Sequence, residues 1–223
     1  MDFIFMLTRD DRTVDDCLEL VEEIAPLGLG HIGFKDVGVD FATLRALDAA
    51  IKATGAMSYM EVVSTSRAAE LRSVEVAREI GVDRLLGGTA VGEALALLGG
   101  RTAYFPFPGR PEGHPTRLGG TPAEVEAQAA RFVAMGCAGC DLLAYRATEA
   151  DPIELVRAAR RGLGEATLIV AGSVAGKDRI RALAEAGADG FTIGTAVFSG
   201  AYSPHKGSIR SQLKDILADC AAV

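Results

Sequence analysis

Short apolar runs alternate with longer helical patterns along the whole chain. The short runs lie at residues 3–7, 31–35, 58–63, 84–86, 102–105, 140–144, 168–171 and 191–193. Between them, apolar residues recur at helical spacing, and several of these stretches end at a glycine, over residues 14–27, 41–54, 67–80, 122–135, 152–161 and 177–186. This alternation predicts eight strand–helix units around a parallel sheet.

Eight such units in 223 residues predict one domain, residues 1–223, folded as a closed (β/α)8 TIM barrel. A doubly wound open sheet is the alternative. Hydrophobic residues make up 49% of the chain, enough for a large buried core. Cys137 and Cys140 form a lone CxxC at the start of an apolar run, so we expect core residues there rather than a redox or metal site.

Charge and hydropathy narrow the possible partners. The net charge of −7 disfavours a nucleic-acid footprint, which needs clustered Lys and Arg. No apolar stretch reaches about 18 residues, and acidic residues stand near the N-terminus where a signal peptide carries basic ones. We therefore expect a cytoplasmic protein with no membrane partner; a homo-oligomer is compatible with the sequence.

The chain contains an internal repeat. Residues 81–91, GVDRLLGGTAV, align with residues 187–197, GADGFTIGTAV, and six of eleven positions agree. In an eight-unit barrel these segments surround the fourth and eighth strands, on opposite sides. The repeat predicts two half-barrels and, at Gly88 and Thr89, a second phosphate-holding turn; the alternative is that any buried strand entering a glycine turn has this pattern.

Two small-residue turns near the end of the chain carry the clearest chemical pattern. Gly172-Ser173 follows the seventh predicted strand, and Gly194-Thr195 follows the eighth. In barrel enzymes the loops after these two strands often bind phosphate through backbone amides and hydroxyls. We therefore predict that these four residues bind a phosphate group.

The segment AGSVAGKDRIRALAEAGADGFTIGTAVF, residues 171–198, resembles the last quarter of the ribulose-phosphate-binding barrel superfamily, above all the phosphoribosyl isomerases of histidine biosynthesis. Those isomerases carry catalytic aspartates after strands one and five. Here the first predicted strand runs into Asp10, a predicted substrate contact, but the fifth runs into FPFPGR with no acid. The resemblance implies phosphate binding and leaves the reaction open among isomerases, epimerases, aldolases, decarboxylases and synthases.

Lys35 and Glu61 are the predicted catalytic residues. Alternation in the second strand places Ile32 and Phe34 toward the helices and Lys35 toward the barrel interior, and Glu61 shares a face with Tyr59 on the next strand. Such a pair can divide a proton transfer, or the lysine can form a Schiff base. The alternative is a structural ion pair inside the barrel.

Further substrate contacts are predicted after the fifth and sixth strands. The Pro- and Gly-rich segment 107–120 is a candidate cover that carries Arg110 and His114. Arg110 can grip a carboxylate or phosphate, and His114 is a candidate acid or base. Tyr145 and Arg146 follow the sixth strand at the height of the barrel mouth.

The favoured hypothesis is a metal-independent, cofactor-free isomerase or epimerase that acts on a phosphorylated sugar or sugar-derived acid by acid/base proton transfer. The three histidines are far apart in sequence, so no metal site is predicted. One alternative is an aldolase or lyase with a Schiff base at Lys35. The other is a barrel that binds a phosphorylated small molecule without catalysis.

Overall fold

The computed structural model describes residues 1–64, 66–113 and 115–223, so Thr65 and the predicted site residue His114 lie outside the described residues. Within the described residues, eight parallel strands form one sheet. They are β1 (Asp2–Met6), β2 (His31–Lys35), β3 (Met57–Glu61), β4 (Arg84–Leu86), β5 (Ala103–Phe105), β6 (Gly139–Leu142), β7 (Thr167–Val170) and β8 (Gly190–Ile193). Each coincides with a predicted strand to within two residues.

The sheet closes on itself. Its strands follow the order β6-β7-β8-β1-β2-β3-β4-β5. At the seam between β5 and β6, the backbone N–H of Ala138 donates to the carbonyl of Tyr104 at 3.0 Å, and the N–H of Asp141 donates to that of Pro106 at 3.1 Å. The predicted (β/α)8 barrel is confirmed, and the open-sheet alternative is wrong.

Helices follow the strands in the order expected for this barrel. In the described part of the chain they are α1 (Cys17–Ile24), α2 (Phe41–Ala53), α3 (Arg67–Ile80), α4 (Val91–Leu98), α5 (Pro122–Ala134), α6 (Pro152–Leu163), α7 (Lys177–Ala186), α8 (Thr195–Phe198) and α9 (Ile209–Ala221). Asp40, Ser66, Thr121 and Asp151 cap α2, α3, α5 and α6 with a side-chain oxygen. None of these helices is long and apolar enough to cross a membrane.

Side chains alternate between two hydrophobic clusters. Phe3 and Phe5 of β1, like Ile32 and Phe34 of β2, belong to the large cluster between the strands and the helices. Ile4 and Met6, the other apolar positions of β1, point into the barrel. They form a second cluster there with inward residues of other strands, namely Tyr59, Leu86, Phe105 and Ile169. The predicted faces of β2 are therefore correct. Cys137 and Cys140 are buried, free thiols, as expected of core residues.

Two small antiparallel hairpins extend from the strand ends. The first pairs Thr8–Arg9 with Arg12–Thr13 directly after β1. The second pairs Arg110–Glu112 with Arg117–Gly119 after β5, within the segment predicted as a cover loop. The first hairpin helps to build the site described next.

Candidate active site

A cavity of about 350 Å³ opens at the carboxyl ends of the barrel strands. Active sites of this fold lie at that end of the barrel. Its lining includes most of the predicted site residues: Lys35, Glu61, Arg146, Gly172, Ser173, Gly194 and Thr195. The structure thus brings the predicted catalytic pair and the predicted phosphate turns at Gly172-Ser173 and Gly194-Thr195 into one cavity.

Lys35 is the centre of a charged cluster in this cavity. Its side chain is 6% exposed, and its Nζ lies 2.7 Å from Asp11 Oδ1 and 3.3 Å from Glu61 Oε1. Lys35 and Glu61 are register partners at the ends of β2 and β3, which explains their proximity. Burial alone lowers the pKa of Lys35, but the charges of Glu61 and Asp11 raise it, and the net pKa lies above the ordinary lysine value. Lys35 is therefore held as an ammonium.

The carboxylate that contacts Lys35 comes from the hairpin after β1. Asp10 and Asp11 form its two-residue turn, and both have a positive φ (50° and 58°). This turn leaves Asp10 exposed, outside the residues that line the cavity, and carries Asp11 onto Lys35. Asp10 was the predicted substrate contact, and sequence reasoning missed Asp11, although the pattern Thr-Arg-Asp-Asp-Arg-Thr is that of a tight hairpin.

Thr13, on the second strand of the same hairpin, fixes the end of β2. Its Oγ1 donates to the carbonyl oxygen of Lys35 at 2.7 Å and accepts from the N–H of Lys35 at 2.9 Å. Both groups are buried. The hairpin therefore positions the backbone as well as the ammonium of Lys35.

Arg146 closes one side of the cluster. Its Nη2 lies 3.7 Å from Asp11 Oδ1. A side chain at position 172 would come within 3.2 Å of Arg146 Cζ, so Gly172 allows the guanidinium to lie directly against the backbone. Tyr145 lines a neighbouring cavity, and the guanidinium of Arg179 lies 4.4 Å from the centre of its ring. Of this predicted pair, the structure brings Arg146 to the cavity.

Asp141 does not line the cavity but interacts electrostatically with its charged residues, and sequence reasoning missed it. It stands on β6, fully buried, and neither carboxyl oxygen has a hydrogen-bond partner among the described residues. Burial raises the pKa of Asp141 well above the ordinary value, and the charge of Glu61 raises it further, against the opposing effects of Lys35 and Arg146. The sequence CDLL, residues 140–143, predicts only a buried strand. It gives no sign that the carboxyl group of Asp141 interacts with the charges of Lys35, Glu61 and Arg146.

The predicted phosphate turns after β7 and β8 both face the cavity. Gly172 and Ser173 have positive φ angles of 77° and 59°, so the chain reverses sharply there. Gly194 lies so close to Thr8 that an added side chain would come within 2.6 Å of the Thr8 hydroxyl. This close approach leaves Thr195 at the cavity wall.

The other predicted contacts lie elsewhere. Arg110 forms ion pairs with Glu124 and Glu149, both at 2.8 Å, and does not line the cavity. At Gly88-Thr89, the predicted second phosphate turn, the carboxylate of Glu70 occupies the backbone N–H groups. A phosphate could bind these N–H groups only by displacing Glu70.

Comparison with solved structures finds many barrels of this architecture. Three of them are 3-hexulose-6-phosphate synthase (14% identity, TM-score 0.66, 98% of this chain and 99% of that one), orotidine 5′-phosphate decarboxylase of Pyrococcus horikoshii OT3 (12%, 0.66, 99% and 100%) and QR15, an aldolase (12%, 0.65, 98% and 96%). The likeness is one of fold. It confirms the barrel fold that the resemblance implied, and nothing finer. No protein-family model matches the sequence, and no curated protein is similar to it.

Proposed function

We propose that the protein is a metal-independent isomerase or epimerase that acts on a phosphorylated sugar or sugar-derived acid. The observation that carries this proposal is the shared cavity: an ammonium between two carboxylates lies in the same 350 Å³ space as the turns at Gly172-Ser173 and Gly194-Thr195. Proton transfer on a sugar needs an acid, a base and a fixed substrate, and this cavity provides candidates for all three.

The two turns would hold the phosphate group. Backbone N–H groups in such turns form concave anion-binding sites, and the hydroxyls of Ser173 and Thr195 add donors. Arg146, beside Gly172, adds a positive charge. A phosphate fixed there would leave the carbon skeleton extending toward Lys35.

Lys35 and Glu61 would perform the chemistry. The Glu61 carboxylate takes the proton from the carbon next to the substrate carbonyl, while the Lys35 ammonium donates a proton to the carbonyl oxygen, which gives a neutral enediol. Return of a proton from Glu61 to the adjacent carbon, with transfer of a hydroxyl proton back to Lys35, completes an isomerisation. An epimerisation needs instead a second proton donor, such as water, on the opposite face of the same carbon. Glu61 then releases its proton to water, and the hydroxyl proton returns to Lys35. No atom or electron is gained or lost, so no cofactor is required.

The aldolase alternative uses the same lysine differently. Lys35 is the lysine that lines this cavity among the described residues, so an imine with a ketone substrate would form there. The ion pairs with Asp11 and Glu61 oppose this route, because they raise the pKa of Lys35 and keep the amine protonated. Borohydride reduction in the presence of substrate separates the two: a covalent adduct on Lys35 would establish the lyase and exclude the simple proton transfer.

The central test measures exchange of carbon-bound hydrogen. Phosphorylated aldoses and ketoses are incubated with the protein in deuterated water, and deuterium incorporation is followed by proton NMR. We expect Lys35→Met and Glu61→Gln each to lower the exchange rate about 10²- to 10⁴-fold, the usual contribution of a general acid or base. Lys214→Met and Glu75→Gln, which alter exposed residues on α9 and α3, serve as matched controls.

Two results would contradict the proposal. Unchanged exchange in both site variants would place the chemistry elsewhere. Binding of phosphorylated sugars without exchange or turnover would instead favour the non-catalytic barrel.

A further inference from the structure

The sequence repeat corresponds to a repeated local structure. Gly81 and Gly187 end α3 and α7 with left-handed φ angles of 84° and 94°. Two residues later, Asp83 accepts a hydrogen bond from the N–H of Ser58 at 2.9 Å, and Asp189 accepts one from the N–H of Leu168 at 2.7 Å. The turns that lead into β4 and β8 are therefore equivalent in structure as well as in sequence.

The turn after β4 already holds an anion, the side chain of Glu70. Glu70 Oε1 accepts from the N–H groups of Thr89 and Ala90, each at 2.7 Å, and Oε2 accepts from the Thr89 hydroxyl at 3.3 Å. Glu70 is 2% exposed although it is an acidic residue near the start of a helix. Buried carboxylates persist where hydrogen bonds compensate their lost hydration, and these three bonds do so.

In the described part of the chain, the turn after β8 holds no such side chain. The spacing that aligns Gly81 with Gly187 aligns Glu70 with Gly176, which has no side chain. Thr195 and Ala196, the counterparts of Thr89 and Ala90, line the cavity instead. Among the described residues, no hydrogen bond from their N–H groups is found.

The surroundings of Glu70 also have the character of an anion site. The hydroxyl of Tyr104 is buried and has no hydrogen-bond partner in the described part of the chain. It lies near Gly88, where an added side chain would come within 3.1 Å of it and would collide with the Glu70 carboxylate. A cavity of about 30 Å³, lined in part by Glu70 and Gly88, adjoins this group.

We propose that Glu70 is a specificity-determining residue: it fills the second anion-binding turn permanently and restricts the protein to substrates with a single phosphate group. This inference rests on the proposed function, because it takes the phosphate to bind at the turns after β7 and β8. It replaces the sequence-based expectation of a second phosphate at Gly88 and Thr89.

The first experiment uses the unaltered protein. Binding of glucose 6-phosphate and of glucose 1,6-bisphosphate is measured by calorimetry. We expect equal dissociation constants within about threefold, since one charge-assisted hydrogen bond to the second phosphate would already give about tenfold tighter binding. Tenfold or tighter binding of the bisphosphate would overturn the inference.

The second experiment opens the turn. Glu70→Ala removes the carboxylate and leaves the N–H groups of Thr89 and Ala90 without their acceptor. Titration with inorganic phosphate should reveal one site in the unaltered protein and two in the variant. Glu70→Gln keeps a side-chain oxygen in the turn and should show one site, as should Glu79→Ala, which alters an exposed residue of the same helix. A folded Glu70→Ala protein with one site would overturn the inference.

The two proposals fail in different ways. If the unaltered protein binds neither glucose 6-phosphate nor inorganic phosphate, the phosphate-binding part of the proposed function is wrong. If it binds the monophosphate but gains affinity from the second phosphate, only the role of Glu70 is wrong. The first experiment does not depend on the folding of a variant.

Discussion

At the scale of single residues, Asp141 is a carboxyl group placed in the interior of the barrel. Its carboxyl group is fully buried, its oxygens have no hydrogen-bond partner among the described residues, and burial raises its pKa well above the ordinary value. The folded protein therefore binds this proton more tightly than the unfolded chain does. Linkage then requires stability to fall as pH rises from the unfolded pKa, about 4, toward the raised folded pKa.

Asp141→Asn should remove this pH dependence. The amide keeps the shape of a protonated carboxyl group and never acquires a charge. We expect the free energy of unfolding of Asp141→Asn, relative to the unaltered protein, to increase steadily between pH 5 and neutrality, as measured by urea unfolding. Asp15→Asn, at an exposed position, is the control. A difference that stays constant with pH would show that Asp141 is ionised in the folded state.

The charged cluster was predictable only in part. Alternation along β2 and β3 is enough to turn Lys35 and Glu61 inward, because neighbouring side chains on a strand point to opposite faces. Asp10 and Asp11 form a two-residue turn with positive φ angles. Because of this turn, Asp11 and not Asp10 contacts Lys35. Asp141 escaped notice because an acidic residue inside a short apolar run carries no periodic pattern of its own.

At the scale of elements, the loop after β2 supports the hairpin that holds Asp11. Gly38 has a φ of 114°, and a side chain there would overlap the carbonyl oxygen of Thr13 and come within 2.7 Å of its nitrogen. Thr13 in turn binds both backbone groups of Lys35. Gly38 thus links the loop after β2 to the hairpin and, through Thr13, to Lys35.

Gly38→Ala should damage stability and activity together. The added methyl group must displace Thr13, and the left-handed backbone disfavours any side chain, so we expect a loss of roughly 2–4 kcal/mol in the free energy of unfolding. Deuterium incorporation into the sugar phosphate should also slow, because displacement of Thr13 disturbs its hydrogen bonds to the backbone of Lys35. Gly30→Ala meets no atom within 4 Å and should leave both quantities nearly unchanged. Equal behaviour of the two variants would remove Gly38 from the support of the site.

Most elements were predictable because their apolar period and end residues agree. Helices 67–80 and 177–186 have their predicted bounds, with Gly81 and Gly187 stopping them. No helix was predicted at α4, because its sequence, VGEALALL, is apolar on most sides and lacks the clear polar face of an amphipathic helix. The second hairpin lies in a Pro- and Gly-rich segment whose composition indicates a loop. Its strands form only because they pair with each other, which the local sequence does not show.

At the scale of the whole molecule, the sequence repeat places two equivalent aspartates, Asp83 and Asp189, on opposite sides of the barrel. β4 and β8 are separated by three strands in either direction around the closed sheet. Before each of them, an aspartate accepts a backbone N–H from the neighbouring strand, Asp83 from Ser58 and Asp189 from Leu168. Each aspartate also pairs with a basic residue, Lys52 in the first half and Arg160 in the second.

Because the two halves are equivalent, we expect substitutions of Asp83 and Asp189 to lower the free energy of unfolding by equal and independent amounts. Asp83→Ala and Asp189→Ala each leave a backbone N–H of the sheet without its acceptor, so we expect each to lower the free energy of unfolding by about 1–2 kcal/mol. Because the sites lie on opposite sides of the barrel, the double variant should equal the sum within about 0.5 kcal/mol. Asp83→Asn and Asp189→Asn keep one acceptor oxygen and should lose less. Urea unfolding measures these losses. If one substitution lowers the free energy of unfolding strongly and the other does not, the two aspartates do not stabilise the barrel equally.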